Sequence, residues 1–361
     1  MKTSAAAPSL WVSLLLAGAV STLDAAEPTA VPAPSASPVL SAEARLELLF
    51  TREGDDQAGL TEGPAAAPDG SIYFSDIRRG TTPGVILRFD PQTKKTTVFA
   101  ENSHKSNGLI FDEDGVLLAC EGADEGGRAL SAWNVKTGRR TVLAEGYQGK
   151  RFNAPNDLCL DAAGRIYMTD PRYLGAEPRE LKYRAVYRVD RSSRKPEVVE
   201  ITHEVSKPNG IALSPDGRTL YVADHDNGSD GIEPEETPPT PGPMKIYAFP
   251  LDEHGLVNGP RRTLVDFGKE AGCDGMTVDE RGNLYLTARS PQRPGVLVIS
   301  PTGVEVAFIP TGPLGQKTDE EHPPVGLPSN VEFGRGSERN TLYITVDTSL
   351  YRIPLNTGRG E

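Results

Sequence analysis

The sequence predicts an all-β chain closed into a six-bladed propeller of four-stranded blades, and three observations carry that prediction. The first is a recurring pattern: a polar or acidic lead residue, a short apolar run, a glycine-bearing turn and a second alternating run. Its clearest copy is KPNGIALSPDGRTLYVAD at 207–224, where apolar alternation on both sides of Pro-Asp-Gly describes two antiparallel strands. The second is register. Gly70, Gly115, Gly164, Gly217 and Gly282 each lie eight residues after Glu62, Asn107, Asn156, Asn209 and Asp274, and a sixth copy with a longer turn starts at Asn330. The third is the period. Successive turn glycines are 45, 49, 53 and 65 residues apart, and a period near 45 with two strands plus further β-pattern per repeat indicates propeller blades.

The chain has 361 residues, enough for a large core, and the even repeat argues for one ring over 43–361 rather than two domains. A net charge of −12 disfavours nucleic acid, which requires a basic face, and suits a cation. The 37 glycines and 31 prolines fit a turn-rich β protein. Three cysteines show no C-x-x-C spacing; Cys120, Cys159 and Cys273 read as small buried hydrophobes. At the N-terminus, Lys2, an apolar run from Leu10 to Val20 and the small residues Ala25 and Ala26 have the layout of a signal peptide over 1–26. That run is too short to span a bilayer, so the expectation is export to the periplasm or beyond without membrane insertion. Residues 27–42 read as a flexible Pro/Ala/Ser tether.

Residues 44–50 look like an isolated strand ahead of the first repeat. The last copy offers three strands (330–334, 341–346, 349–355), so the N-terminal strand is expected to complete the last blade and remove two sheet edges at once. Blade one reads as 64–67, 71–75, 84–89 and 96–100, and blade two as 107–111, 116–120, 130–135 and 139–143. Long links occur at 171–183 and 225–243, between second and third strands, and at 144–155 and 310–329, between blades. Because neighbouring strands run antiparallel, all four overhang the face where the lead residues emerge. The 225–243 segment is expected to form a lid or rim.

In a propeller the first strands line the central channel, so Glu62, Asn107, Asn156, Asn209, Asp274 and Asn330 converge on its axis. One Asn or Asp at a strand start merely satisfies a turn; six in register, two of them carboxylates, make a hard-oxygen site suited to Ca²⁺. A second ring of acids, Asp76, Glu121, Asp170, Asp224 and Asp347, sits at the ends of the second strands. Some of these would accept hydrogen bonds from loop backbone, and one could act as general base. No G-x-S-x-G elbow and no H-E-x-x-H motif is present.

EGP at 62–64, NAPNDL at 153–158, MTDPRY at 168–173, KPNGIALSPD at 207–216 and CDGMTVDERGNLY at 273–285, extended by PSNVEFG at 328–334 and TLYIT at 341–345, resemble the gluconolactonase and regucalcin-like lactonase superfamily (the senescence marker protein family), in its bacterial gluconolactonase branch. The resemblance implies a six-bladed propeller that hydrolyses a sugar lactone with one divalent cation, Ca²⁺ first, with Zn²⁺, Mg²⁺ or Mn²⁺ as alternatives. Glu62, Asn156, Asn209 and Asp274 match the metal ligands, Asp274 also matches the proton donor and acceptor, and Asp170 matches an assisting acid. A ligating carboxylate loses basicity, which favours Asp170 as a separate base. Asn156, Arg151, Asn107 and Tyr173 are the candidate substrate contacts. The regucalcin branch carries Arg two residues before the matched Asn; here that position is Ala154, with Arg151 five residues before. Arg172 and Leu174 stand where the related branch often has Pro and Gly. Two rival readings share the scaffold: a paraoxonase-like esterase or lactonase for apolar substrates, and a non-enzymatic binding propeller whose cation is structural.

Overall fold

The computed structural model describes residues 31–35, 37–54, 59–193, 195–229, 240–319 and 321–358. Among the described residues, six four-stranded antiparallel sheets follow one another around a ring; five run in sequence order from the axis outward, and the sixth takes its outer strand from the N-terminus. Blade one comprises Leu60–Ala66, Ile72–Ile77, Val85–Asp90 and Lys95–Ala100; blade two comprises Ser106–Phe111, Leu117–Glu121, Ala129–Asn134 and Arg139–Ala144. Blade three begins at Leu158–Leu160, blade four at Pro208–Leu213, blade five at Cys273–Val278 and blade six at Pro328–Phe333. In blade one the lead residue therefore lies inside the first strand, not at its start. A two-stranded ribbon, Gly146–Tyr147 with Lys150–Arg151, fills the link before blade three and was not expected from the sequence.

Closure follows the sequence expectation. Glu47–Thr51 pairs antiparallel with Ser349–Pro354 and forms the outer strand of blade six. Arg52, just beyond it, turns its buried guanidinium onto Asp76 of blade one, so the closing strand grips both blades that meet at the seam. The tether is shorter than the sequence suggests. Val39, Leu40 and Ala44 are buried among Val298, Ile309, Val331 and Ile353, and Asn356 N donates to Val39 O at 2.9 Å. Two apolar side chains at the tether's end find blades five and six beneath them, and burying each stabilises the docked turn by roughly 1.5–3 kcal/mol. The proposed signal peptide and most of 225–243 fall outside the described residues.

Apolar side chains on facing sheets fill the wedges between blades. Phe74 and Phe89 of blade one meet Tyr343 and Leu350 of blade six, and Tyr285 of blade five stacks edge-on against Phe333 of blade six. Cys120, Cys159 and Cys273 are buried free thiols in these layers. Among the described residues no helix is long and apolar enough to cross a membrane.

Candidate metal centre

Five of the six lead residues sit at a break in their strand, and Asn156 lies just before the start of its own. The pairing of first with second strands shifts register between Glu62 and Ala65, Ser106 and Leu109, Pro208 and Ile211, Cys273 and Met276, and Pro328 and Asn330. A bulge re-aims one side chain without ending the strand, and here it turns the lead residue toward the axis. The residue after it is often glycine because the inner strands nearly touch there. A Cβ on Gly63 would collide with the main-chain oxygen of Asn107, and one on Gly210 with that of Asp274. Gly108 N donates to Asn156 O at 2.7 Å, and Ser329 Oγ donates to Thr61 O at 2.6 Å across the closure. Contacts such as these bring the lead residues of successive blades into one ring.

Glu62 is buried, and among the described residues its carboxylate accepts a hydrogen bond only from the adjacent Gly63 N, at 3.0 Å. Burial, then the charges of Asp274 and Asp157, hold its carboxyl well above the usual range. The two carboxylates on which a cation site depends therefore lie within electrostatic reach of each other. Asp274 pairs through Oδ2 with Arg289 Nη1 at 3.1 Å. Asn209 Nδ2 donates to the Tyr173 hydroxyl at 3.1 Å. Asn156 is buried, and its carboxamide makes no hydrogen bond within the described protein. Asn330 is committed instead, since its Oδ1 accepts Val331 N at 2.8 Å.

Residues 60–348 match the family described as the SMP-30/Gluconolactonase/LRE-like region. The chain belongs to this family. Similar members include the gluconolactonase of Zymomonas mobilis, 31% identical over 82% of this chain and 79% of that protein. The lactonohydrolase oryL of Aspergillus oryzae is 25% identical over 88% of this chain and 72% of that one. Among solved structures, a gluconolactonase from Xanthomonas campestris superposes with a TM-score of 0.69 at 27% identity, covering 91% of this chain and 96% of that one.

As a member of the SMP-30/gluconolactonase family, the chain is expected to hold a cation, and its own residues fit one. Three carboxylates, Glu62, Asp157 and Asp274, crowd a buried axis where the contact with Arg289 reaches only Asp274. Burial raises Asp157 to about 7, with Asp274 adding to the rise. Burial and mutual repulsion of these acids, offset only in part by Arg289, describe a site that a cation would complete. The donors are carboxylate and amide oxygens, which favours Ca²⁺, Mg²⁺ or Mn²⁺ over metals that prefer sulfur or imidazole. Among the described residues no three His, Cys, Asp or Glu side chains surround one point, so amides must complete any shell. Glu62, Asp274, Asn209 and Asn156 are the residues able to do so.

The second ring of acids is structural. Asp170 accepts Asn153 N at 2.8 Å and Ala154 N at 2.6 Å; Asp224 accepts Ser206 N at 3.0 Å and Lys207 N at 2.9 Å; Asp347 accepts Gly326 N at 2.6 Å. Each clamps the loop that enters its own first strand. Asp76 pairs with Arg52 and Arg78, and Glu121 with Arg140. Both oxygens of Asp170 accept backbone N–H groups, so Asp170 holds the loop that delivers Asn156. Burial lifts it to about 7 against those two amides. Arg151 is likewise not brought to the ring, because its guanidinium bonds to Glu145 Oε2 at 3.0 Å and Gly127 O at 2.6 Å at the rim. Asn107 is in the ring with a half-buried side chain, and Tyr173 reaches it through Asn209.

Two residues at the ring escaped the sequence reading, and register could have found both. Asp157 stands where four blades carry glycine after the lead residue. Arg289 follows Ala288, which occupies the place of the acid in the other second strands. A cavity of about 1240 Å³ opens at the opposite end of the channel, among Ile110, Leu158, Ile211 and Met276 and the turn acids Asp112 and Asp161. It contains no lead residue, so the donor set and not cavity size identifies the site.

Proposed function

We propose that this chain is a cation-dependent lactonase that opens a sugar lactone by adding water. The observation that carries the reading is the under-neutralised ring of Glu62 and Asp274 with the amides of Asn156 and Asn209, in a family whose similar members are named gluconolactonase and lactonohydrolase. A bound divalent cation supplies Lewis-acid polarisation of a carbonyl oxygen. Glu62 and Asp274 provide the negative charge that retains it, and the two amides offer neutral oxygens that leave room for substrate. Arg289 fixes one oxygen of Asp274, leaving the other to ligate or to carry a proton between water and the ring oxygen of the lactone. Asp170 keeps the 153–156 loop in place, and with it Asn156. The polar sequence of the link that starts at His225, HDNGS at 225–229, suits a hydroxylated substrate better than an apolar one. Export through residues 1–26 belongs to the same proposal.

The test measures the metal content of purified protein and the hydrolysis of glucono-1,5-lactone and of an aryl ester, before and after chelation. Lactone turnover that is lost on stripping and restored by Ca²⁺ or another divalent ion supports the reading. Full turnover in the stripped protein removes the cation from it, and preference for the aryl ester removes the sugar.

A further inference from the structure

We infer that Tyr173 is a positioning residue for the cation site: its hydroxyl dictates which way round the Asn209 carboxamide sits, so that the amide oxygen and not the NH₂ faces the axis. The inference rests on the reading of the ring as a cation site. An asparagine is a two-faced ligand, because a half-turn about its last bond exchanges an acceptor for two donors. Beside two carboxylates and a cation, the wrong face would repel what the site must hold.

The structure contains a device that chooses. Asn209 Nδ2 lies 3.1 Å from the Tyr173 hydroxyl. That hydroxyl has one proton, which it donates to the main-chain oxygen of His225 at 3.0 Å. With its proton committed, the phenol oxygen offers lone pairs only, and a donor must face it. Turning Asn209 over would set two acceptors against each other in a buried place. His225 is itself fixed, because its Nδ1 donates to Cys273 O at 3.1 Å, on the residue before Asp274. Its ring meets that of Tyr173 edge-on at 6.3 Å, and the Lys207 ammonium lies 4.5 Å from the centroid of the Tyr173 ring while bonding to Asn227 Oδ1 at 2.5 Å. A chain of hydrogen bonds therefore runs Asn209–Tyr173–His225–Cys273. It joins the ligand-bearing strands of blades four and five through the long loop of blade three.

The experiment uses the full chain, stripped of metal and titrated with Ca²⁺ alone by calorimetry. It compares wild type, Tyr173→Phe, Asn209→Asp and the double variant. Partners behind the first ligands typically set metal affinity within about 10- to 100-fold, and Tyr173→Phe is expected to weaken Ca²⁺ binding by that factor. Its melting point in chelator should stay near wild type, since the ring remains. An aspartate presents an oxygen either way round, so in the Asn209→Asp background the same change should alter affinity less than about twofold. Wild-type affinity in Tyr173→Phe, or an equal loss in both backgrounds, overturns the assignment alone. A wild-type chain that takes up no Ca²⁺ overturns the cation reading and this assignment with it.

Discussion

Replacing Glu62 with glutamine should move stability in opposite directions with and without a cation. Glu62 is 3% exposed, receives one hydrogen bond from Gly63 N and faces the charges of Asp274 and Asp157. The nearby guanidinium of Arg289 is paired to Asp274 instead. Without a cation, this carboxylate is a cost to the fold. Glutamine keeps its volume and an acceptor for Gly63 N–H while removing the charge, so the chelated variant should gain about 1–2 kcal/mol. For a chain of this size, that is a rise of roughly 1–3 °C in the unfolding midpoint. Cation binding reverses the order. At a concentration one hundred times Kd, a bound ion stabilises wild type by about 2.7 kcal/mol, and a variant with a hundredfold weaker site gains under about 0.5 kcal/mol. Thermal melts in chelator and in excess Ca²⁺ read both effects. A Glu62→Gln protein less stable than wild type in chelator would refute the reasoning, because Glu62 would then be a satisfied structural acid. An equal response of the two proteins to Ca²⁺ would do the same.

Asp170→Asn sets an NH₂ against a main-chain N–H donor and should cost about 2–4 kcal/mol at pH 5. Burial raises Asp170 to about 7, from roughly 3.9 in the unfolded chain. Its contribution is therefore full below about pH 4 and lost as pH rises through 7, so urea midpoints of the two proteins should converge from pH 5 to pH 8; divergence would count against the clamp as described. Gly63→Ala places a Cβ on the Asn107 main chain at a φ of 49°, and a loss of about 2–4 kcal/mol in urea unfolding is expected. A variant as stable as wild type would mean that the inner strands have room to part. Cys120, Cys159 and Cys273 are buried, and burial pushes their thiols up where a shift is resolved, at Cys120 and Cys273. Ellman's reagent should find none in the native protein and all three after unfolding, and rapid native labelling would contradict their packing.

Much of the architecture was legible because it repeats. A turn glycine eight residues after each lead residue marks five blades at once, and a sixth copy short of one strand calls for Glu47–Thr51 to complete it. Local irregularities were less legible. The bulges that turn Glu62 and Asp274 toward the axis leave no pattern in a single strand, since two residues simply oppose one. The docking of Val39 and Leu40 was hidden because their partners, Val331 and Ile353, lie some 300 residues away. In a Pro/Ala/Ser-rich stretch, two apolar residues look like noise until the surface they cover is known.

The two polar rings show where sequence and chemistry part company. Both stand at the same end of the propeller, both are rich in carboxylates, and both recur in register. What separates them is the use of their lone pairs. Asp170 and Asp224 each spend two oxygens on loop amides, and Asp76 and Glu121 spend theirs on guanidinium groups. Glu62 accepts one N–H and faces two like charges, with the nearby guanidinium of Arg289 paired to Asp274. Residue type cannot disclose this difference, because it depends on which backbone donors the incoming loop presents, and those loops are the segments that vary most between blades. Blade five makes the point from the other side. With Ala288 in the acid's place it has no clamp, and Arg289 bonds instead to Pro328 O at 3.0 Å and to Asp274. The one blade without a structural acid is thus the one whose neighbouring side chain can reach the axis, and it offers a cation to the carboxylate the site most needs held in place.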